Sequence, residues 1–414
     1  MYLICLWLGK LLQRASRLAG NSGAALPGYV IERFYPQFLE KGLSRLPEGV
    51  VVVSGTNGKT TTTKVVSDVL ASMGDRVLTN STGSNMTRGL ISTLVSKSRF
   101  SGRLPFDVAV LEVDEAYGAL LAKRLPIRGA VILNVMRDQL DRFGEIDKTA
   151  RLLGELSQAA RDFVVLNAAD NRVRELPAAA ERLSFAPGRS VSKRFINDDD
   201  WHGAADGKTV RADYILSATQ DNKLTISAAG RNFDIASKFH GAHNHLNLTA
   251  AVAVLNQIKP ETDLSLIVKA AARVRPAFGR GEKIRLEKAS IDLLLVKNPS
   301  SFVSTMAEAN IAGYDHVAVV INDAYADSRD VSWLWDVDFK PLAQAKDIIT
   351  GGRRGYDMAV RLKYEQMEVA RTILGEAALL DAVQEGKWAI FCTYTAMLNL
   401  RRELVRRGHV EQVI

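Results

Sequence analysis

Cysteine is almost absent from this chain: of 414 residues, only Cys5 and Cys392 carry a thiol. Two cysteines build neither a disulfide framework nor a four-cysteine zinc site, and they suit a reducing cytoplasm. Long apolar runs are missing too. The first, Met1 to Leu12, is broken by Lys10 and followed by Arg14 and Arg17. It is too short to cross a bilayer, and its charges follow the apolar part, the reverse of a secretory signal. It reads as an amphipathic opening helix, packed on the body or grazing a membrane surface. Aromatic residues are sparse, at 7%, and no long basic run is interleaved with them, which argues against nucleic acid as a partner. Lys and Arg exceed Asp and Glu, 54 against 46, for a formal net charge of +8. That balance permits anionic partners, and it is also what a solvated surface with scattered base looks like.

What is present is the composition of a folded enzyme, 47% hydrophobic and 24% charged, in a chain long enough for two or three α/β domains. Val50 to Val53 is a β-branched run entering a glycine turn, and Thr61 to Met73 has helical character: strand, loop, helix. Apolar runs at 107–111, 129–133 and 163–166 alternate with helical stretches, the pattern of a doubly wound, mainly parallel sheet. From about Lys193 to Arg231 the chain turns polar and reads as a loop or small insertion, with short strands near Thr225 and Phe233. The Pro- and Gly-punctuated segment Arg275-Pro276-Ala277-Phe278-Gly279-Arg280 marks a boundary. Beyond it, strands are expected at 291–296, 317–321, 347–349 and 388–392, with a helix over 396–406. No internal repeat is found. The expected organisation is a helical segment over 1–45, an ATP-binding domain over 46–280 and a second α/β domain over 281–414.

A phosphate loop brings several backbone N–H groups onto one anion, so it needs glycine and a helix N-terminus. Gly55-Thr56-Asn57-Gly58-Lys59-Thr60-Thr61 supplies both. Lys59 is expected on the outer phosphates of ATP and the Thr60 hydroxyl on Mg²⁺. The loop is shorter than the usual Walker spacing, with Val53 where the first glycine would stand. Glu112, in Val110-Leu111-Glu112-Val113-Asp114-Glu115 at a strand end, is the candidate Mg²⁺ carboxylate, the bland alternative being a solvated acidic strand end. Asn134 through Asp138 to Asp141 follows another strand and either orients metal water or base, or caps a helix. Phe239 to Asn247 holds three of the six histidines. With no cysteine nearby it reads as a helix start with Asn244 on the adenine, ahead of a metal site, and Asn247 caps or packs. Asp330-Val331-Ser332-Trp333-Leu334-Trp335-Asp336 sets two tryptophans among acids, as a docking surface with a functional carboxylate or as an aromatic core with solvated aspartates.

Taken together, Gly55 to Thr63, Glu112 to Glu115, Asn134 to Asp141, Asn167 to Asp170, Gly241 to Asn247 and Phe278-Gly279-Arg280 resemble the Mur ligase family, in the family's order and over most of the chain. Thr82 to Gly89, Arg137 to Arg142 and above all Asp330 to Asp336 resemble its MurT branch. That resemblance implies a Mur ligase central domain followed by a Rossmann-like C-terminal domain. It also implies an ATP-dependent carbon–nitrogen ligase that amidates the D-glutamate α-carboxylate of lipid II to D-isoglutamine, in peptidoglycan biosynthesis. Its cofactors would be ATP and Mg²⁺. Its partner would be a GatD-like glutaminase supplying ammonia within a heterodimer, working in the cytoplasm at the inner face of the plasma membrane. Asp330, with Asp336 as second choice, would complete the partner's Cys-His pair, and Arg280 would sit near the ribose and phosphates or else act as an interdomain arginine. Two departures matter. The family's four-cysteine zinc ribbon has no counterpart here, so no zinc is expected, the polar stretch 197–208 standing as its eroded remnant. Lys148 lies too close to Asp141 to match the carbamylated lysine of several Mur ligases. The rival reading is a stand-alone Mur-type ligase adding an amino acid to a peptide or folate-like acid, and Lys297-Asn298-Pro299 suits either.

Overall fold

The structure is a computed structural model and describes residues 1–18, 26–80, 87–136, 146–195, 210–276 and 282–410. Arg280, the acidic run through Asp138 and Asp141, residues 82–86 and the 197–208 stretch lie outside the described residues. The chain divides into two compact units, separating principally between Arg275 and Pro276.

The first unit opens with α1 (Tyr2–Leu18), α2 (Leu26–Phe34) and α3 (Phe38–Leu43). An alternation of strands and helices follows: β1 (Val50–Ser54), α4 (Lys59–Ser72), β2 (Val77–Thr79), α5 (Thr87–Lys97), β3 (Val108–Glu112), α6 (Glu115–Ala122), β4 (Ile127–Ile132), α7 (Ile146–Ala159), β5 (Phe163–Asn167), α8 (Asn171–Arg174) and β6 (Glu181–Pro187). Three strands and two helices complete it: β7 (Tyr214–Gln220), β8 (Lys223–Ala228), β9 (Arg231–Ala236), α9 (Ala242–Ile258) and α10 (Leu264–Arg273). The nine strands form one sheet ordered β2-β3-β1-β4-β5-β6-β7-β8-β9. It is parallel from β2 to β7 and antiparallel across β8 and β9.

The central strands are buried end to end, as the all-apolar runs require when helices cover both faces. One face packs α4, α9 and α10 through Val65, Val69, Leu248, Val252 and Ile267; the other packs α1 to α3 and α5 to α8 through Leu6, Ile91, Tyr117 and Leu153. The stretch expected to be a loop carries a strand instead. β7 alternates Tyr214 and Leu216 inward with half-buried Ile215 and Ser217, and it turns into β8 at Asp221, whose φ of 52° a short polar residue tolerates. Only Tyr214-Ile215-Leu216 is a continuous apolar run there, with Arg211 and Asp213 before it and Ser217, Thr219 and Gln220 after it, too short a signal to mark a buried strand.

The second unit runs β10 (Glu282–Arg285), β11 (Ala289–Leu295), α11 (Pro299–Ala309), β12 (His316–Val320), β13 (Asp347–Gly351), α12 (Gly355–Tyr364), β14 (Arg371–Ile373), α13 (Glu376–Ala382), β15 (Gly386–Cys392) and α14 (Tyr394–Arg406). Its sheet is ordered β10-β11-β15-β12-β13-β14, parallel except for β10. α11 and α12 cover one face around Phe302, Phe339 and Met358, and α13 and α14 the other around Leu379 and Leu400. Both units are α/β, as the sequence implies.

Candidate nucleotide site

The first sheet changes winding direction at β1. α4, which follows β1, lies on one face, whereas α5 and α6, which follow β2 and β3, lie on the other. β1 pairs with β3 on one side and β4 on the other, so their carboxyl ends form a topological switch point, the place where open α/β sheets bind ligands. The glycine loop leaves β1 at that point. Gly55 takes φ +124° and Gly58 φ +88°, conformations open to glycine and strained for other residues. Close approach adds to the need: a Cβ on Gly55 would meet the Asn134 backbone N at 2.9 Å, and one on Gly58 would meet Asn247 Oδ1 at 2.2 Å.

Asn134, just past β4, holds the loop in shape. Its carbonyl accepts from Thr56 N at 2.9 Å, its Oδ1 from Asn57 N at 2.7 Å, and its Nδ2 donates to the Asn57 carbonyl at 3.1 Å. Lys59, at the first turn of α4, donates from Nζ to the carbonyls of Gly55 and Thr56. Thr60 Oγ1 donates to Glu112 Oε1 at 3.1 Å, across from the loop to the end of β3. Glu112 itself is only 8% exposed, and Asn80 brackets its backbone: Nδ2 donates to the Glu112 carbonyl at 2.6 Å and Oδ1 accepts from its N–H at 2.9 Å. Asn80 is not among the residues that the sequence marks, and its place directly after β2 is the one signal that could have pointed to it. Hard oxygens from one hydroxyl and one carboxylate, beside glycines that leave room for phosphate, suit a Mg²⁺-bound polyphosphate.

The acidic neighbours have structural work. Asp114 caps α6 by accepting from Tyr117 N at 2.9 Å. Asp170 is buried beyond β5 and accepts from Val135 N at 2.8 Å and Val173 N at 3.1 Å. Burial outweighs those donors and lifts its carboxyl from 3.8 to about 6.

The histidine cluster separates into individual roles. His245 is wholly buried. Its Nδ1 accepts from the Thr219 hydroxyl at 2.6 Å and its Nε2 donates to the Phe239 carbonyl at 3.0 Å, tying α9 to β7. His243 stands edge-on to Phe195, and desolvation pulls its pKa down to about 4. Asn244 Nδ2 donates to the His240 carbonyl at 2.8 Å, while Asn247 packs on Gly58, the nearer of the two amides to the loop.

In the second unit, Ser332 to Asp336 forms a short 3₁₀ turn on α12. Asp330 is half-buried, accepts from Ser332 N at 2.8 Å, and lines an open groove of about 520 Å³ with Arg329, Trp335, Tyr356 and Val360. Trp335 is 53% exposed and Trp333 half-buried, so the motif is divided between surface and interior. A polar network that the sequence left unmarked joins the carboxyl ends of β12 and β15. Asn322 donates to Glu376 at 2.9 Å, and buried Asp327 accepts from both the backbone and the hydroxyl of Thr395. Asn298 forms a capping box with Ser301 at the start of α11, a structural use of the Asn-Pro segment.

Residues 53–255 match the Mur ligase middle domain and residues 295–397 the MurT ligase C-terminal family. The MurT subunit of the glutamine-hydrolysing lipid II isoglutaminyl synthase of Streptococcus pneumoniae is 30% identical over 98% of this chain and 98% of its own length. The chain belongs to the MurT family. The corresponding subunit of Staphylococcus aureus strain COL is 28% identical over 87% of each chain. Among solved structures, MurF of Thermotoga maritima in complex with ADP superposes with a TM-score of 0.66 at 16% identity, over 92% of this chain and 85% of its own. MurF of Acinetobacter baumannii gives 0.67 at 18%, over 88% and 79%. A MurT-family chain is a ligase of the Mur type, a class that uses ATP. The helices of its described residues are all too short or too polar to cross a membrane.

Proposed function

We propose that this chain is the synthetase subunit of a two-protein amidotransferase acting on lipid II. ATP phosphorylates the α-carboxylate of D-glutamate in the stem peptide, giving an acyl phosphate and ADP. Ammonia released from glutamine by a GatD-like glutaminase attacks the acyl carbon, phosphate leaves, and D-isoglutamine remains. The match of the C-terminal unit to the MurT family, which separates it from amino-acid-adding Mur ligases, carries this reading.

Backbone amides of Gly55 to Thr61 and the Lys59 ammonium would offset charge on the transferred phosphoryl group. The Thr60 hydroxyl and the Glu112 carboxylate would hold Mg²⁺, already lying 3.1 Å from each other. Bound there, the ion would neutralise phosphate charge. Asn134 keeps the loop amides converged, Asn244 serves the adenine, and Arg280 serves the ribose and phosphates. Asp330, on the rim of its groove, would orient the partner's histidine as the acid of a triad, with Asp336 as the alternative. The heterodimer would work at the inner face of the plasma membrane, where a lipid-linked substrate resides.

The test combines the chain, its glutaminase, lipid II, ATP-Mg²⁺ and glutamine, and reads the product by mass spectrometry. A loss of about one mass unit per stem peptide, from hydroxyl replaced by amine, is expected. Product formed equally well from a free amino acid without the partner would overturn the proposal in favour of a stand-alone ligase.

A further inference from the structure

We propose that the outward face of α1 is a membrane-docking surface for anionic phospholipid. The helix is apolar on two opposite faces. One face buries Tyr2, Cys5 and Leu6 against α2 and α5, and Gly9 allows close approach, since a Cβ there would meet Ile31 Cδ1 at 2.5 Å. A helix whose only task was to close the first unit would turn a polar face to water. This one turns Ile4 (62% exposed), Trp7 (52%), Leu8 (41%), Leu11 (67%) and Leu18 (90%) outward. At 100° per residue those five fall on one stripe, opposite the buried one.

The loop after α5 extends the stripe. Phe100 is 62% exposed, and its carbonyl accepts from Trp7 Nε1 at 2.8 Å, so the two aromatic rings belong to one surface. A Cβ on Gly102 would meet Leu3 at 2.6 Å, which fixes that loop against the helix.

Charge identifies the occupant. Lys10 lies over the Phe100 ring at 5.1 Å, Arg14 is exposed one turn further along α1, and Lys97, Arg99 and Arg103 are exposed on and after α5. Neither 1–18 nor 94–105 contains an acidic residue. An apolar stripe with tryptophan and phenylalanine, flanked by base alone, is the composition of a helix lying in a bilayer interface, with the rings at headgroup depth and the cations on lipid phosphates. The helix is not long and apolar enough to span. The inference stands on this surface and does not require lipid II to be the substrate.

The experiment is vesicle flotation of the full chain, alone and assembled with its glutaminase. Vesicles of phosphatidylglycerol and phosphatidylethanolamine are compared with vesicles of phosphatidylcholine alone. Binding to the anionic vesicles is expected in both forms, weakening as salt rises. The double variant Ile4→Glu/Leu11→Glu, whose side chains point to solvent, should keep the parent's thermal midpoint yet bind at least roughly tenfold more weakly. Arg14→Glu/Arg99→Glu should lose binding to anionic vesicles by a similar factor. Three outcomes would overturn the proposal: no binding by the parent chain, binding indifferent to both double variants, or binding by the isolated chain that vanishes in the assembled complex. The last would assign the stripe to a protein partner.

Discussion

At Gly58 the left-handed backbone and the Asn247 amide together leave no room for a side chain. Gly58→Ala is therefore expected to cost about 1–3 kcal/mol through strain at that φ, and to weaken nucleotide binding at least roughly tenfold by displacing the loop. Calorimetry of unfolding and of ADP binding measures the two effects. Lys59→Ala is different in kind, because its half-exposed side chain supports no core. Turnover should fall by roughly 100-fold or more with the thermal midpoint unchanged; an equal loss of both would place Lys59 in folding. Asp170 links a single carboxyl to pH. With its folded pKa at about 6 against 3.8, the native state holds the proton more tightly than the unfolded chain does. That contribution is full below pH 4 and lost as pH rises through 6. Relative to Asp170→Asn, the parent should lose up to about 3 kcal/mol from well below pH 4 to well above pH 6, at 1.36 kcal/mol per pK unit. Urea midpoints taken across that range give the difference.

Among the elements, β4 and α12 carry consequences at a distance. Asn134 joins the end of β4 to the loop with two side-chain hydrogen bonds, at 2.7 and 3.1 Å. Arg361, on α12 and 7% exposed, does comparable work for the tryptophan turn. Its guanidinium donates to the carbonyls of Leu334 at 3.1 Å and Val337 at 2.8 Å, pairs with Glu365 at 2.7 Å, and lies over Trp335. Arg361→Met takes a charged donor from two carbonyls and a carboxylate, of which only the Leu334 carbonyl keeps a backbone donor, Val337 N, and about 2–4 kcal/mol of stability should go with it. Under the proposed division of labour, the same change loosens the turn beside Asp330. Glutamine-dependent product should then fall while product from added ammonia persists, and so it should for Asp330→Asn with no loss of stability. Equal loss with both nitrogen sources would reject Asp330 as the residue that orients the partner's histidine.

For the whole molecule, two units with separate cores mean that a nucleotide held by one should stabilise that one. ADP at a hundred times its Kd adds about 2.7 kcal/mol to the unit that binds it. Hydrogen exchange should slow around residues 54–62, 80, 110–113 and 133–135, and the C-terminal sheet should be little changed. Slowed exchange centred on β12 and β15 would move the nucleotide to the other unit.

Local chemistry makes the parallel core legible in the sequence. Val50 to Val53 and Phe163 to Leu166 are apolar without alternation, and only burial on both faces rewards such runs. Gly55 and Gly58 likewise announce a loop that must bend into the left-handed region. β7 escaped because it sits in a polar stretch and pairs in parallel with β6 on one side and antiparallel with β8 on the other, so its pairing was not visible in one segment alone. Asn80, Asn134 and Asn247 escaped in part for a related reason. An asparagine's meaning depends on which backbone it meets, and the ones they meet are 32 and 77 residues away for the first two and nearly two hundred for the third. The sequence alone determined the α/β class, the glycine loop between β1 and α4 and the kinship of the C-terminal motif, because each is written in contiguous residues. Tertiary structure decided which amides brace the loop, that His245 belongs to the core, and that α1 has a second apolar face left over once the first is packed. Those depend on distances between segments that the chain brings together only by folding.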